Sequence, residues 1–301
     1  SIKWLGLDFL AHYEGGKPKD YRIQVGAVAA SPTSTLTTTE TPEMITVDTG
    51  VIRFEVIRKR FTGIETAWLD LNADGKFTDN EKVIQAPKPL VGKDALSVVP
   101  AGHFLMDGRG IRYEASNDPS PEVRIEEKGP VRVTILARGW YTNNKVSEKA
   151  GRQLCQFVTR LTVHAGQPAI QINERTVITY DTRMNKLTDV AFAVPVTGAD
   201  KWVLSMDGKS FDGTLPDANK YVWLHQERWD HARLMEGNNA APKAEGKKSD
   251  GWLAVSAASA TVTGFLRDVW QKFPKELEAD RTGITFHFWP QHGRRVFKQE
   301  E

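Results

Sequence analysis

Apolar side chains recur at every second position from one end of this chain to the other, and no other feature limits its fold so strongly. A strand turns successive side chains to opposite faces, so alternation marks a sheet with one face in a core. Ile2, Trp4, Leu7 and Phe9 open one such stretch, and Tyr21, Ile23 and Val25 a second. The pattern continues through VIRFEVI from Val51, GPVRVTILARG from Gly129 and CQFVTRLTVH from Cys155. It resumes in LTDVAFAVPV, KWVLSM, KYVWLHQ, GWLAVSAASATVTGFL and GITFHFW. Helical periodicity is confined to VWQKFPKELE, Val269 to Glu278, where Pro274 limits a helix to about a turn on either side. The expected fold is all-β, with a small barrel-like N-terminal β domain followed by a large antiparallel β-sandwich.

Turn-forming residues divide the chain. NDPSPE, Asn117 to Glu122, holds two prolines and predicts a domain break, giving residues 1–118 and 119–301. Thr49-Gly50 and Asp107-Gly108 predict hairpins. The threonine-rich stretch Ser31 to Glu43 reads as an exposed connection, and Gly237 to Gly251, poor in apolar residues, as a mobile loop between strands. The chain starts at Ser1 already in strand-like alternation, so its N-terminal end is expected to be a processing site or a truncation.

Charge narrows the partners. Lys+Arg number 40 against 38 Asp+Glu, a formal charge of +2. Neither nucleic acid nor an anionic membrane surface is expected from so even and interspersed a balance. No apolar run approaches the length of a membrane span. The single cysteine, Cys155, excludes an internal disulfide and reads as a buried, inert thiol.

DLNADGKFTDNE, Asp70 to Glu81, has the spacing of a calcium loop. Asp70, Asn72 and Asp74, the Lys76 carbonyl and Glu81 fill the ligand positions, and Gly75 the bend. Hard oxygen donors of this kind favour calcium. A helix-loop-helix sensor is excluded by strand-like flanks and by the lack of a second copy. What remains is a structural calcium site in a β-hairpin or a solvated acidic turn.

YVWLHQERWDHARL, Tyr221 to Leu234, gathers Trp223, His225, Arg228, Trp229 and His231. Indoles beside charged and amide groups suit sugar rings, although core packing explains Trp223 equally well. Two histidines six apart are not by themselves a metal-ligand spacing. Further on, Arg267 and Trp270 precede GITFHFWP, in which Ile284, Phe286 and Phe288 should face the core and His287 away from it. No phosphate-binding glycine loop, serine-nucleophile elbow or zinc signature is present.

The ordered series SIKWLGLDF, VDTGVIRFEV, WLDLNADGKFTDNE, GPVRVTILARG, FVTRLTVHAGQPAIQI, Gly251-Trp252, RDVWQKFPKELE and HFWP resembles the exo-rhamnogalacturonan lyase, or YetA-like, family, a polysaccharide lyase family 26-like group. The resemblance covers nearly the whole chain. It implies a barrel-like first domain, a central β-sandwich and, beyond this chain, a C-terminal helical toroid, so the chain is expected to be an internal portion of a larger enzyme. The implied chemistry is β-elimination at a uronic acid of an acidic polysaccharide, outside the cell or in the periplasm. A base takes the C5 proton, a cation neutralises the neighbouring carboxylate, and an acid assists the leaving oxygen. The residues here suggest His225, His231 and His287 as base or acid and Arg228 and Arg267 as carboxylate partners. Trp223, Trp229 and Trp270 would be sugar platforms. A carbohydrate-binding or scaffold module is the alternative.

Overall fold

The structure is a computed structural model that describes residues 34–87, 101–145, 152–215, 221–237, 241–257, 260–290 and 292, with isolated positions before 34. The expected strands at Ile2–Phe9 and Tyr21–Val25 lie for the most part outside the described residues.

The protein is nearly all β, built from antiparallel sheets. The first is a five-stranded meander in chain order: β1 (Thr37–Glu40), β2 (Met44–Asp48), β3 (Ile52–Ile57), β4 (Thr66–Leu69) and β5 (Lys82–Gln85). A four-stranded sheet joins β13 (Lys201–Met206), β14 (Lys209–Thr214), β18 (Ser249–Ser256) and β19 (Thr261–Phe265) in the order β14-β13-β18-β19. The other twelve strands form one large sheet. Its first half contains β6 (Gly102–Asp107), β7 (Arg112–Glu114), β8 (Glu122–Lys128), β9 (Arg132–Thr142), β10 (Gln153–His164) and β11 (Ile170–Val177). Its second half contains β12 (Leu187–Pro195), β15 (Val222–Arg228), β16 (His231–Glu236), β17 (Ala244–Gly246), β20 (Lys275–Asp280) and β21 (Gly283–Trp289). The order is β11-β10-β9-β7-β6-β12-β21-β20-β15-β16-β17, with β8 also on β9.

Both smaller sheets pack on the same face of the large one. Phe61, just after β3, stacks on Phe157 of β10 with ring centres 5.5 Å apart. Gly63 approaches Phe192 of β12, and Gly264 of β19 lies directly against the ring of Phe286 of β21. One continuous apolar core therefore runs through Phe54, Tyr113, Phe157, Trp202, Leu253 and Leu277. β10 shows how sequence writes this layer: Cys155, Phe157, Thr159, Leu161 and Val163 are buried while their neighbours are not. The Cys155 thiol is wholly buried, and burial pushes it up to about 11, so it is inert as expected.

Sheet membership runs across the division expected at residue 118, and three local expectations differ from the structure. β6 and β7, within residues 1–118, are hydrogen-bonded between β12 and β9 in the large sheet, so the change of sheet comes before Gly102, ahead of the Asn117–Glu122 segment. That segment is tied in by Asp118, whose carboxylate accepts the Trp140 N–H at 2.7 Å. Within the predicted connection at Ser31–Glu43, Thr37–Glu40 forms edge strand β1, favoured by its run of threonines. Within Gly237–Gly251, Ala244–Gly246 pairs with β16, and the Asp207 carboxylate accepts the Lys247 and Lys248 N–H groups. Instead of a helix after Pro274, Lys275–Asp280 is strand β20, hydrogen-bonded on both sides to β15 and β21.

Candidate functional site

The face of the large sheet opposite the core carries a row of ionisable groups. Register sets the row: His225 of β15 pairs with Glu276 of β20, Glu276 with His287 of β21, and His287 with Ala191 of β12. Arg233 of β16 opposes His225 from the other side. Two residues along each strand, Trp223 opposes Glu278. Because side chains two apart share a face, Trp223, His225, Glu276, Glu278 and His287 all project the same way.

The row is buried and internally bonded. His225 and Glu276 have fully buried side chains, and His225 Nδ1 lies 2.9 Å from Glu276 Oε2. The other oxygen, Oε1, is 2.6 Å from His292 Nδ1. His287 Nδ1 lies 2.8 Å from Asp189 Oδ1 of β12, and its Nε2 points between Glu276 Oε1 at 3.9 Å and Glu278 Oε2 at 3.8 Å. Nε2 makes no hydrogen bond. Glu278, with 18% of its side chain exposed, and His292, with 28%, form the open edge. His292 stacks on Trp223 with ring centres 4.5 Å apart.

Burial and charge act against each other here. For His287, burial disfavours the cation, but the Asp189 carboxylate, helped by Glu276 and Glu278, reverses this and raises it to about 10. Burial would raise Glu276, yet hydrogen bonds from His225 and His292 bring it down to about 2. Glu278 has no such hydrogen bond, and burial pushes it up to about 7.

The remaining expected residues stand elsewhere. Arg228, Trp229 and His231 sit at the β15–β16 turn. There Arg228 is 3.9 Å from Asp230, Trp229 is 59% exposed, and His231 Nδ1 is 3.1 Å from Glu227 Oε2. Arg267 is exposed in the turn after β19. Trp270, in the same turn, is covered by Lys248, whose Nζ lies 3.9 Å from the ring centre. Thus His225, His287 and Trp223 are brought together, and the other five are not part of the row. His287 points away from the core face, as alternation predicts, but it is buried by Asp189 and the carboxylates, not open to solvent. The groups that sequence reading missed are Asp189, Glu276 and Glu278. The signal for the two glutamates was the alternation of KELEAD, in which Glu276 and Glu278 share one strand face; a helix would have separated them.

The Asp70–Glu81 loop is closed by its own hydrogen bonds. Asp70 accepts the N–H groups of Asp74 and Gly75, at 3.2 and 2.9 Å. Glu81 uses Oε1 for the Leu71 N–H and Oε2 for the Thr78 N–H and hydroxyl. These bonds, the Thr78 backbone above all, hold the Glu81 carboxyl below its ordinary value. Both oxygens of the twelfth-position ligand are therefore occupied, Oε2 in capping the short 3-10 turn Asp79–Glu81 and Oε1 in holding Leu71.

No protein-family model matches this chain, and no curated protein matches it in sequence.

Proposed function

We propose that this chain is part of a polysaccharide lyase acting by β-elimination on a uronic-acid-containing glycan of the rhamnogalacturonan type. One structural observation supports it most: His225, Glu276 and His287 converge across three neighbouring strands beside Trp223. Histidines and carboxylates in one row supply proton carriers, and the adjacent indole supplies an apolar surface for a sugar ring. The ordered motif series adds the reaction class and the substrate class. An acidic polysaccharide partner and an extracellular or periplasmic location follow from that substrate. Calcium stays the proposed ligand of Asp70, Asn72, Asp74, the Lys76 carbonyl and Glu81, on their spacing alone.

A specific observation favours the second reading, a carbohydrate-binding or scaffold module. His225 and Glu276 are fully buried, which suits groups that hold strands together rather than groups that meet a substrate. Incubating the full-length gene product with rhamnogalacturonan separates the two. Ultraviolet absorbance from an unsaturated uronate that is lost in His225→Gln supports the lyase. Binding without new absorbance supports the module, and a product with a saturated end overturns the lyase.

A further inference from the structure

Among the described residues, one cluster of histidine and carboxylate ligand atoms is close enough to share an ion: Glu276, Glu278 and His287, all within 4.8 Å of one another. We propose that these three residues bind a single divalent cation of the zinc class. This assignment does not depend on the lyase reading.

The decisive feature is His287 Nε2. Its side chain is 7% exposed, the atom makes no hydrogen bond, and it is aimed between the two carboxylates at 3.9 and 3.8 Å. A buried ring nitrogen without a partner is costly unless something occupies that gap. Zinc binds nitrogen and carboxylate oxygen at about 2.0–2.2 Å in a tetrahedron, so two ligands on one ion stand about 3.4 Å apart. The observed 3.9 and 3.8 Å are too wide for direct hydrogen bonds and lie within about half an ångström of that spacing, which small side-chain rotations close around an ion.

The surrounding groups fit as well. Asp189 holds His287 Nδ1 at 2.8 Å, the carboxylate–histidine arrangement that fixes the ring with its other nitrogen toward a metal. His225 at 2.9 Å fixes Glu276 in turn. Three carboxylates, Asp189, Glu276 and Glu278, crowd this region, and a dication offsets most of their charge. An imidazole donor favours zinc-class ions over calcium or magnesium, which prefer all-oxygen shells. The open edge at Glu278 and His292 leaves room for a water ligand or for His292 itself.

The test is calorimetric titration of the chelator-stripped protein with zinc, with cobalt(II) as a coloured probe of nitrogen and oxygen ligation. About one equivalent should bind. Affinity should fall about tenfold or more in Glu278→Gln and in Asp189→Asn, and stay unchanged in His164→Ala. Glu278 lies at the open edge, so its variant should fold; metal-free melting curves check this. Absence of zinc binding, or equal affinity in wild type and Glu278→Gln, overturns the site.

Discussion

Asp189 and His287 face each other across the β12–β21 pair, Oδ1 to Nδ1 at 2.8 Å, with 5% and 7% of their side chains exposed. A β-bulge between Val190 and Ala191 shifts the register beside them. Bulges re-aim side chains locally, which places Asp189 against a histidine that pairs with Ala191. Replacing the carboxylate leaves a buried imidazolium facing an amide. Asp189→Asn should therefore cost about 3 kcal/mol in chelator, measured by urea unfolding. A loss below about 0.5 kcal/mol would show that the pair is not an ion pair in the native state.

A second buried pair sets a pH dependence on the core face. His103 Nε2 lies 3.0 Å from Glu174 Oε2, with Thr159 and the Tyr141 hydroxyl also on the Glu174 carboxyl. Burial pushes Glu174 up to about 8 and His103 down to about 3, so the pair is neutral at pH 7. Below about 4.5 Glu174 is protonated both folded and unfolded. Between about 4.5 and 8 only the unfolded chain releases this proton, which lowers stability as pH rises; below about 6.5 His103, protonated only in the unfolded chain, offsets it, so the net fall lies between about 6.5 and 8. Glu174→Gln keeps a neutral amide in place and should flatten that fall. Urea unfolding at pH 5, 6.5 and 8 checks it, and parallel profiles for both proteins would contradict the assignment.

The all-β class was legible because each core strand carries alternation, as in Cys155, Phe157, Leu161 and Val163. His287 was legible in direction for the same reason. Its burial was not, because Asp189 is distant in sequence and meets it only through the β12–β21 pairing. Glu276 and Glu278 were hidden by Pro274, which drew the KELE segment into a helical reading although its neighbours β15 and β21 fix it as a strand. Sheet membership of β6 and β7 was also beyond local pattern. A strand's partners depend on long-range register, whereas alternation reports only that one of its faces is buried.

Glu81 caps its turn through hydrogen bonds from Thr78. Glu81→Ala should lower the melting temperature by a few degrees in chelator as well as in calcium, since the lost hydrogen bonds run to Leu71 and Thr78. Asp74→Ala then isolates the ion. A calcium-dependent rise in melting temperature in the wild type that vanishes in Asp74→Ala assigns calcium to the loop, and identical melting in calcium and chelator assigns a self-closed turn.

Gly264 lies where β19 crosses the back of the site. A methyl group there would overlap the Phe286 ring, and Phe286 neighbours His287 on β21, facing the core while His287 faces the carboxylates. Gly264 lacks the left-handed backbone that would demand glycine, so the constraint is space alone. Gly264→Ala must push the four-stranded sheet away from β21 or turn the ring off its rotamer, at about 1–3 kcal/mol. Adding Phe286→Leu removes the overlapping ring atoms, so the double variant should lose less stability than the two single losses combined. Additive losses in urea unfolding would mean that the two positions do not touch, and that the four-stranded sheet does not press on the strand that holds His287.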